Sequence, residues 1–158
     1  MKFLLCAAVF LLKANCAVSG EMASIKSEAD TFLNNYLLHL NSYLSGQDTH
    51  SVEEKTVLDV RTPSLVIQAS GALLNYESEG QVVQGFTAFL DQIKTQGVGS
   101  IEWKTKQIKV LNAYAAVAHN IAVLLSERGE VIQEIGSTYV LHKNEDRWSI
   151  AMRIPHKR

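Results

Sequence analysis

The hydrophobic period of this chain changes, and the order in which it changes constrains the fold more than any other feature. Residues 24–45 repeat apolar side chains at steps of three and four (Ile25, Ala29, Phe32, Leu33, Tyr36, Leu37, Leu40, Tyr43, Leu44), the period of an amphipathic helix. Ser27 with Asp30 resembles a capping box at its start, and Gly46 is a stop. Ser51-Val52-Glu53-Glu54 is a second capping box, which predicts a short helix ending before Arg61-Thr62-Pro63. Beyond Pro63, Ser64–Ser70 and Ala72–Ser78 read as two strands about Gly71. A third helix, with Val82, Val83, Phe86, Phe89, Leu90 and Ile93 as its stripe, runs from Gly80 to a stop at Gly97. Four long strands follow: Ser100–Leu111, Ala113–Glu127, Val131–His142 and Arg147–Ile154. Turns at Glu127–Glu130 and Lys143–Asp146 join the last three. Helices mostly precede strands, so the class is α+β and not a βαβ alternation.

Two strands carry more detail. Ser100–Leu111 alternates through Ile101, Trp103 and Thr105 and resumes on the other phase at Ile108 and Val110, which predicts a β-bulge near Gln107. Ala113–Glu127 sets Val117, His119, Ile121 and Val123 on one face and Ala116, Ala118 and Ala122 on the other. Both faces look covered, as in a central strand.

The first twenty residues are of a different kind. Lys2 precedes the apolar run Phe3–Leu12, small residues follow from Ala14 to Gly20, and there is no acid. That is the pattern of a secretory signal peptide, too short to span a bilayer, which needs about 20 apolar residues. Cleavage fits after Cys16 or after Gly20; Lys13 is an unusual charge so close to it. The competing readings are an N-terminal buried helix and a lipid-modified Cys16. The expected organisation is therefore a leader over residues 1–20 and one domain over 21–158, periplasmic or secreted, without stable membrane insertion once the leader is gone. Both cysteines, Cys6 and Cys16, lie in the leader, so removal after Gly20 leaves no disulfide, thiol nucleophile or thiolate metal site. It also removes Lys2 and Lys13, taking 15 basic side chains to 13 against 16 acidic ones, a formal charge of −3. Such a balance lacks the basic excess of a nucleic-acid binder.

Several segments, taken in order, resemble the nuclear transport factor 2-like superfamily, in particular its SnoaL-like branch. They are Leu44-Ser45-Gly46-Gln47-Asp48, Thr62–Ile67, Val83–Leu90, Ala115–Ala118, Thr138–Leu141 and Arg147–Ile150. The resemblance spans about residues 27–155. It implies a cone with a cystatin-like topology: a curved, mostly antiparallel sheet of about six strands wrapped around three helices, with a pocket at the open end. Homodimers through the outer sheet face are common among such relatives. The fold serves isomerases, dehydratases, cyclases, transport adaptors and oligomerisation domains, so it implies a pocket and not a reaction.

Proton transfer beside a carbonyl needs a buried base and an oxyanion donor. The strands that match the acid-bearing strands of isomerase relatives offer Gln68, Ser70, Ser137 and Thr138, and none is an acid. His119, mid-strand among apolar residues, is the best internal titrating group. Tyr36 and His39, three apart on the first helix, share a face with one another. These three are the candidate catalytic residues. Trp103, Tyr139, Trp148 and Met152 are candidate pocket-lining residues. No His pair has zinc spacing, and no phosphate-cradling glycine loop, GxSxG or dinucleotide fingerprint is present, so no metal and no cofactor is expected. Three functions remain in order of preference: binding of a small apolar molecule in the cone, an isomerase, dehydratase or cyclase using a pocket His, and a homodimeric association module.

Overall fold

The computed structural model of the chain describes the backbone at residues 3–46, 55–57 and 59–156, and the side chains of these from residue 20 onward. Helix α1 is Phe3–Leu44 and helix α2 is Glu79–Thr95. Residues 55–57 form a further short helical stretch; the Ser51–Glu54 capping box lies outside the described residues. Six strands make one sheet: β1 (Val60–Ile67), β2 (Leu73–Tyr76), β3 (Val98–Asn112), β4 (Ala115–Ser126), β5 (Val131–Asn144) and β6 (Arg147–His156). Their order is β2-β1-β6-β5-β4-β3. Of these six strands only β1 and β6 pair in parallel. This is the α+β cone expected from the sequence.

Helix α1 is longer at its start than the periodic segment. Ser27 and Asp30 sit inside it and do not cap it: the Thr31 hydroxyl donates to the Ser27 carbonyl, and the Asn34 amide to the Asp30 carboxylate. An apolar leader and the first turns of a buried helix share one local signal, so the period alone could not place this boundary. The buried stripe is Ile25, Ala29, Leu33, Tyr36, Leu40 and Leu44, at the expected steps of three and four. Helix α2 begins at a true capping box: the Gln81 backbone N–H donates to the Ser78 hydroxyl, and the Gln81 side chain accepts from the Ser78 N–H. It ends at Gly97, whose φ of +84° few side chains tolerate.

Strand β1 starts before Pro63, not after it. Pro63 has no N–H to give, and the β1–β6 register breaks between Val60 and Leu65 around it. The slip expected near Gln107 occurs in β3 between Trp103 and Thr105, so Ile101 and Trp103 share the helix-facing side with Ile108 and Val110. Further irregularities interrupt the β4–β5 ladder opposite Leu124/Leu125 and the β5–β6 ladder opposite Val140/Leu141. Bulges in adjacent ladders bend a sheet. The concave face of β4 is the small one: Ala116 and Ala118 have no exposed surface. Small side chains there let α1 approach, and it docks along β3. Asn41 donates to the Ile101 carbonyl at 2.9 Å and accepts from its N–H at 2.8 Å, capping an otherwise open stretch of edge strand.

The candidate site inside the cone

The core is not filled solid. Two cavities of about 40 and 60 Å³ adjoin each other between the helices and the concave sheet face. Tyr36 and Arg153 belong to the walls of both. The smaller is closed by Val60, Ser64 and Val66 from β1, Tyr76 from β2, and Gly85 and Phe86 from α2. The larger is closed by Ile101 and Trp103 from β3, Leu124 from β4, Ser137 and Tyr139 from β5, and Phe89 from α2.

Aromatic rings frame the space. Tyr36 meets Tyr139 edge-on at 6.1 Å and 83°, and Phe86 tilted at 6.1 Å. Trp103 meets Tyr139 edge-on at 6.5 Å. Such pairs resist the parallel stacking that would collapse the gap. Burial pushes the Tyr36 phenol up, well above the usual range. The neighbouring Tyr139 and Asp59 act the same way, and the charge of Arg153 and its hydrogen bond oppose them. Burial also holds the Tyr139 phenol up, again against Arg153. Both hydroxyls are therefore neutral donors at physiological pH.

Among the described residues, Arg153 is the one cation lining either cavity. It stands opposite Tyr139 in the β5–β6 ladder and opposite Val66 in the β1–β6 ladder. Its guanidinium carbon lies 5.2 Å from the centre of the Phe89 ring. Among the described residues no carboxylate forms an ion pair with it, and its Nε is buried without a partner. The indole Nε1 of Trp103 is likewise buried and unpartnered.

The expected residues divide. Tyr36, Trp103 and Tyr139 come together at the cavities. His39 lies on α1 but turns to Asp59, with Nδ1 and Oδ2 2.5 Å apart, and lines neither cavity. Burial raises the Asp59 pKa, an effect the His39 hydrogen bond only partly offsets. His119 does not join them. It is exposed on the convex face, hydrogen-bonded to Thr138 at 3.0 Å and stacked on His156 at 5.0 Å. Met152 is opposite Val140 and Leu65, one residue before Arg153 and so on the other side of β6. Trp148 is buried at the far end of β6, where its indole donates to Glu28. Among the described residues no three His, Cys, Asp or Glu side chains cluster as metal ligands would.

Sequence reasoning misses Arg153 and Ser64 as lining residues and Asp59 as the partner of His39; it places Ser137 on a matching strand but only to note that it is no acid. Simple alternation places Trp148, Ile150, Met152 and Ile154 on one face of β6. In the structure Ile150 pairs with Leu141 and Met152 with the adjacent Val140, so Ala151 is an extra residue and the phase reverses. The reversal turns Arg153 inward. Only the expected β5 phase, compared with β6 residue by residue, could have exposed it.

Comparison with known proteins agrees with this geometry. The family model described as NTF2-like protein (DUF6841) matches residues 27–158. No curated protein matches. An NTF2-like protein of unknown function from Shewanella oneidensis has 16% identity and a TM-score of 0.58, over 82% of this chain and 99% of that one. A protein from Catenulispora acidiphila, solved in complex with S-DNPA, has 14% identity and a TM-score of 0.61, over 85% and 93%. A protein from Xanthomonas campestris, named as a calcium/calmodulin dependent protein kinase II association domain, has 17% identity and a TM-score of 0.51, over 75% and 80%. At these identities the solved structures speak for the fold, a six-stranded cone around its helices. The match of residues 27–158 goes further, and by it the chain belongs to the NTF2-like proteins of DUF6841.

Proposed function

We propose that this protein binds a small, largely apolar molecule inside the cone. One observation carries the reading: two adjoining cavities, walled mainly by aromatic and aliphatic side chains, share Tyr36 and Arg153 and hold buried N–H groups with nothing to donate to. A core with no ligand to receive would pack these walls together. The relative of similar fold that was solved in complex with S-DNPA is in keeping with the reading. The test is a thermal-shift panel of small molecules on the wild type and on Ala122→Leu, which fills the larger cavity. Ligands should raise Tm in the wild type and not in Ala122→Leu. A panel without any hit, or equal shifts in both proteins, refutes it.

A second reading is association of two copies through the convex face. It is favoured by apolar side chains there, with the half-buried Leu65, Met152 and Val140 adjacent across three strands. A relative named as an association domain is in keeping with it. Light scattering should give twice the chain mass, and Val140→Glu should halve it; a monomeric wild type removes the reading. We further propose export, on the Lys2, Phe3–Leu12 and Ala14–Gly20 pattern. Mass spectrometry of the protein recovered from its native host should show the leader removed; an intact Met1 in the exported or whole-cell protein overturns this. Among the described residues no helix is long and apolar enough to cross a membrane.

A further inference from the structure

We propose that the ligand is a short-chain carboxylic acid, bound as its anion with the carboxylate accepting from Arg153 and Trp103. This deepens the binding reading above and rests on it. Arg153 Nε and Trp103 Nε1 are both N–H donors, both buried, both without an acceptor, and both residues line the same 60 Å³ cavity. Two orphan donors and no orphan acceptor among the described lining residues call for a ligand that accepts hydrogen bonds. Water would serve the N–H groups, but it leaves the cation of the half-buried Arg153, whose Nε is sealed from solvent, without a counter-charge. Phe89 spreads the charge over its ring face and does not neutralise it. The buried acid Asp59 is engaged with His39 and lines neither cavity. A planar carboxylate matches the guanidinium fork and fits beside a flat indole edge.

Size and the remaining wall set the rest of the molecule. At about 10–15 Å³ for each water-sized occupant, 60 Å³ holds about four to six heavy atoms. Beyond the donors the wall carries Tyr36, Ser137 and Tyr139 but is mainly apolar, with Ile101, Leu124, Ile135 and Phe89, which favours a hydrocarbon body. Butanoate has this size and shape.

The experiment titrates the full chain with butanoate, butanamide, 1-butanol and inorganic phosphate, by calorimetry and by the two indole N–H signals in ¹H–¹⁵N spectra. Trp103→Phe identifies the Trp103 signal. Butanoate should bind at least tenfold more tightly than butanamide and shift the Trp103 signal while leaving that of Trp148 in place. Arg153→Met should abolish that preference with butanamide binding retained, and Arg153→Lys should restore part of it. Should either variant fail to fold, the wild-type comparison of acid and amide decides alone. Equal binding of butanoate, butanamide and butanol overturns the carboxylate and leaves the apolar-ligand reading standing. Phosphate binding as tightly as butanoate overturns it in favour of a bare anion site. If none of the four binds and the thermal-shift panel is also silent, both readings fall; hits in that panel with none of the four binding overturn the short acid alone.

Discussion

Substituting Gly85 by alanine should change sign with its partner. Gly85 lies in the middle of α2, where alanine is normally worth about 0.5–1 kcal/mol more than glycine through helix propensity. Here a Cβ would stand 2.5 Å from the Tyr76 hydroxyl oxygen and 2.9 Å from the ring carbon that bears it. Both distances are well inside van der Waals contact, so the Tyr76 ring must leave its place at the mouth of the smaller cavity. Overpacking of this kind costs about 1–3 kcal/mol, and outweighs the propensity gain. Gly85→Ala in the wild type should therefore destabilise by about 1 kcal/mol. In a Tyr76→Ala background the obstacle is gone, and the same change should stabilise by about 0.5–1 kcal/mol. The cycle, run by urea unfolding followed by far-UV circular dichroism, should yield a coupling of about 2 kcal/mol. Equal effects of Gly85→Ala in the two backgrounds would refute the contact, and with it the claim that Tyr76 closes the cavity against α2.

Packing and titration give three further outcomes. Leu33→Ala removes a side chain with no exposed surface at the centre of α1, and should cost about 2.7–5 kcal/mol in urea unfolding; a loss under 1 kcal/mol would mean the helix does not dock as described. Burial holds the Tyr36 and Tyr139 phenols up, and the Asp91 hydrogen bond lifts Tyr43 to about 12, so three of the five tyrosines should resist ionisation in an absorbance titration. Because the unfolded chain releases those protons first, near pH 10, stability should fall as pH rises beyond about 10; a flat profile there counts against burial of the two core phenols. The Lys143 hydrogen bond holds Glu28 below its ordinary value, so the stability lent by this pair is present above about pH 4.5 and lost as pH falls through the lowered value. Lys143→Met should bring the Glu28 midpoint in NMR titration back up, and an unmoved midpoint would deny the pairing.

What was legible in the sequence was whatever a period can carry. The α1 stripe, the α2 stripe and the alternation of the four long strands mark the faces that meet, because burying apolar surface supplies most of the free energy that drives folding. Tyr36, Trp103 and Tyr139 were found for the same reason: they sit in phase with buried neighbours. The illegible parts are those where the phase breaks or a partner is remote. The bulge at Ala151 inverts the end of β6, and so exchanges Met152 for Arg153 on the concave face. His119 shows the converse error. Its strand has apolar residues on both faces, and period two cannot say which face meets the helices; the alanine face does, because only small side chains admit α1. Asp59 was invisible because its partner His39 lies twenty residues away, and nothing local marks the pair.

The inward arginine also tests what the cone is for, in the absence of any ligand. If Arg153 serves the fold, its contacts should hold the protein together: the cation over Phe89 is worth about 0.5–2 kcal/mol and a hydrogen bond from a charged donor to Tyr36 about 1.5–3. Against them stands the partial loss of hydration of a half-buried guanidinium that pairs with no anion among the described residues, a share of the several kcal/mol that full burial of an ion costs. Replacing it by methionine keeps most of the volume, retains contact with Phe89 and removes the charge. If the burden wins, Arg153→Met leaves the empty protein as stable as the wild type or more so, measured as the midpoint of urea unfolding. A loss above about 2 kcal/mol would show instead that the contacts win, and that the arginine is a structural strut. The first outcome is the one expected where a fold tolerates an unfavourable group because a ligand completes it, as sites that give up stability for binding commonly do.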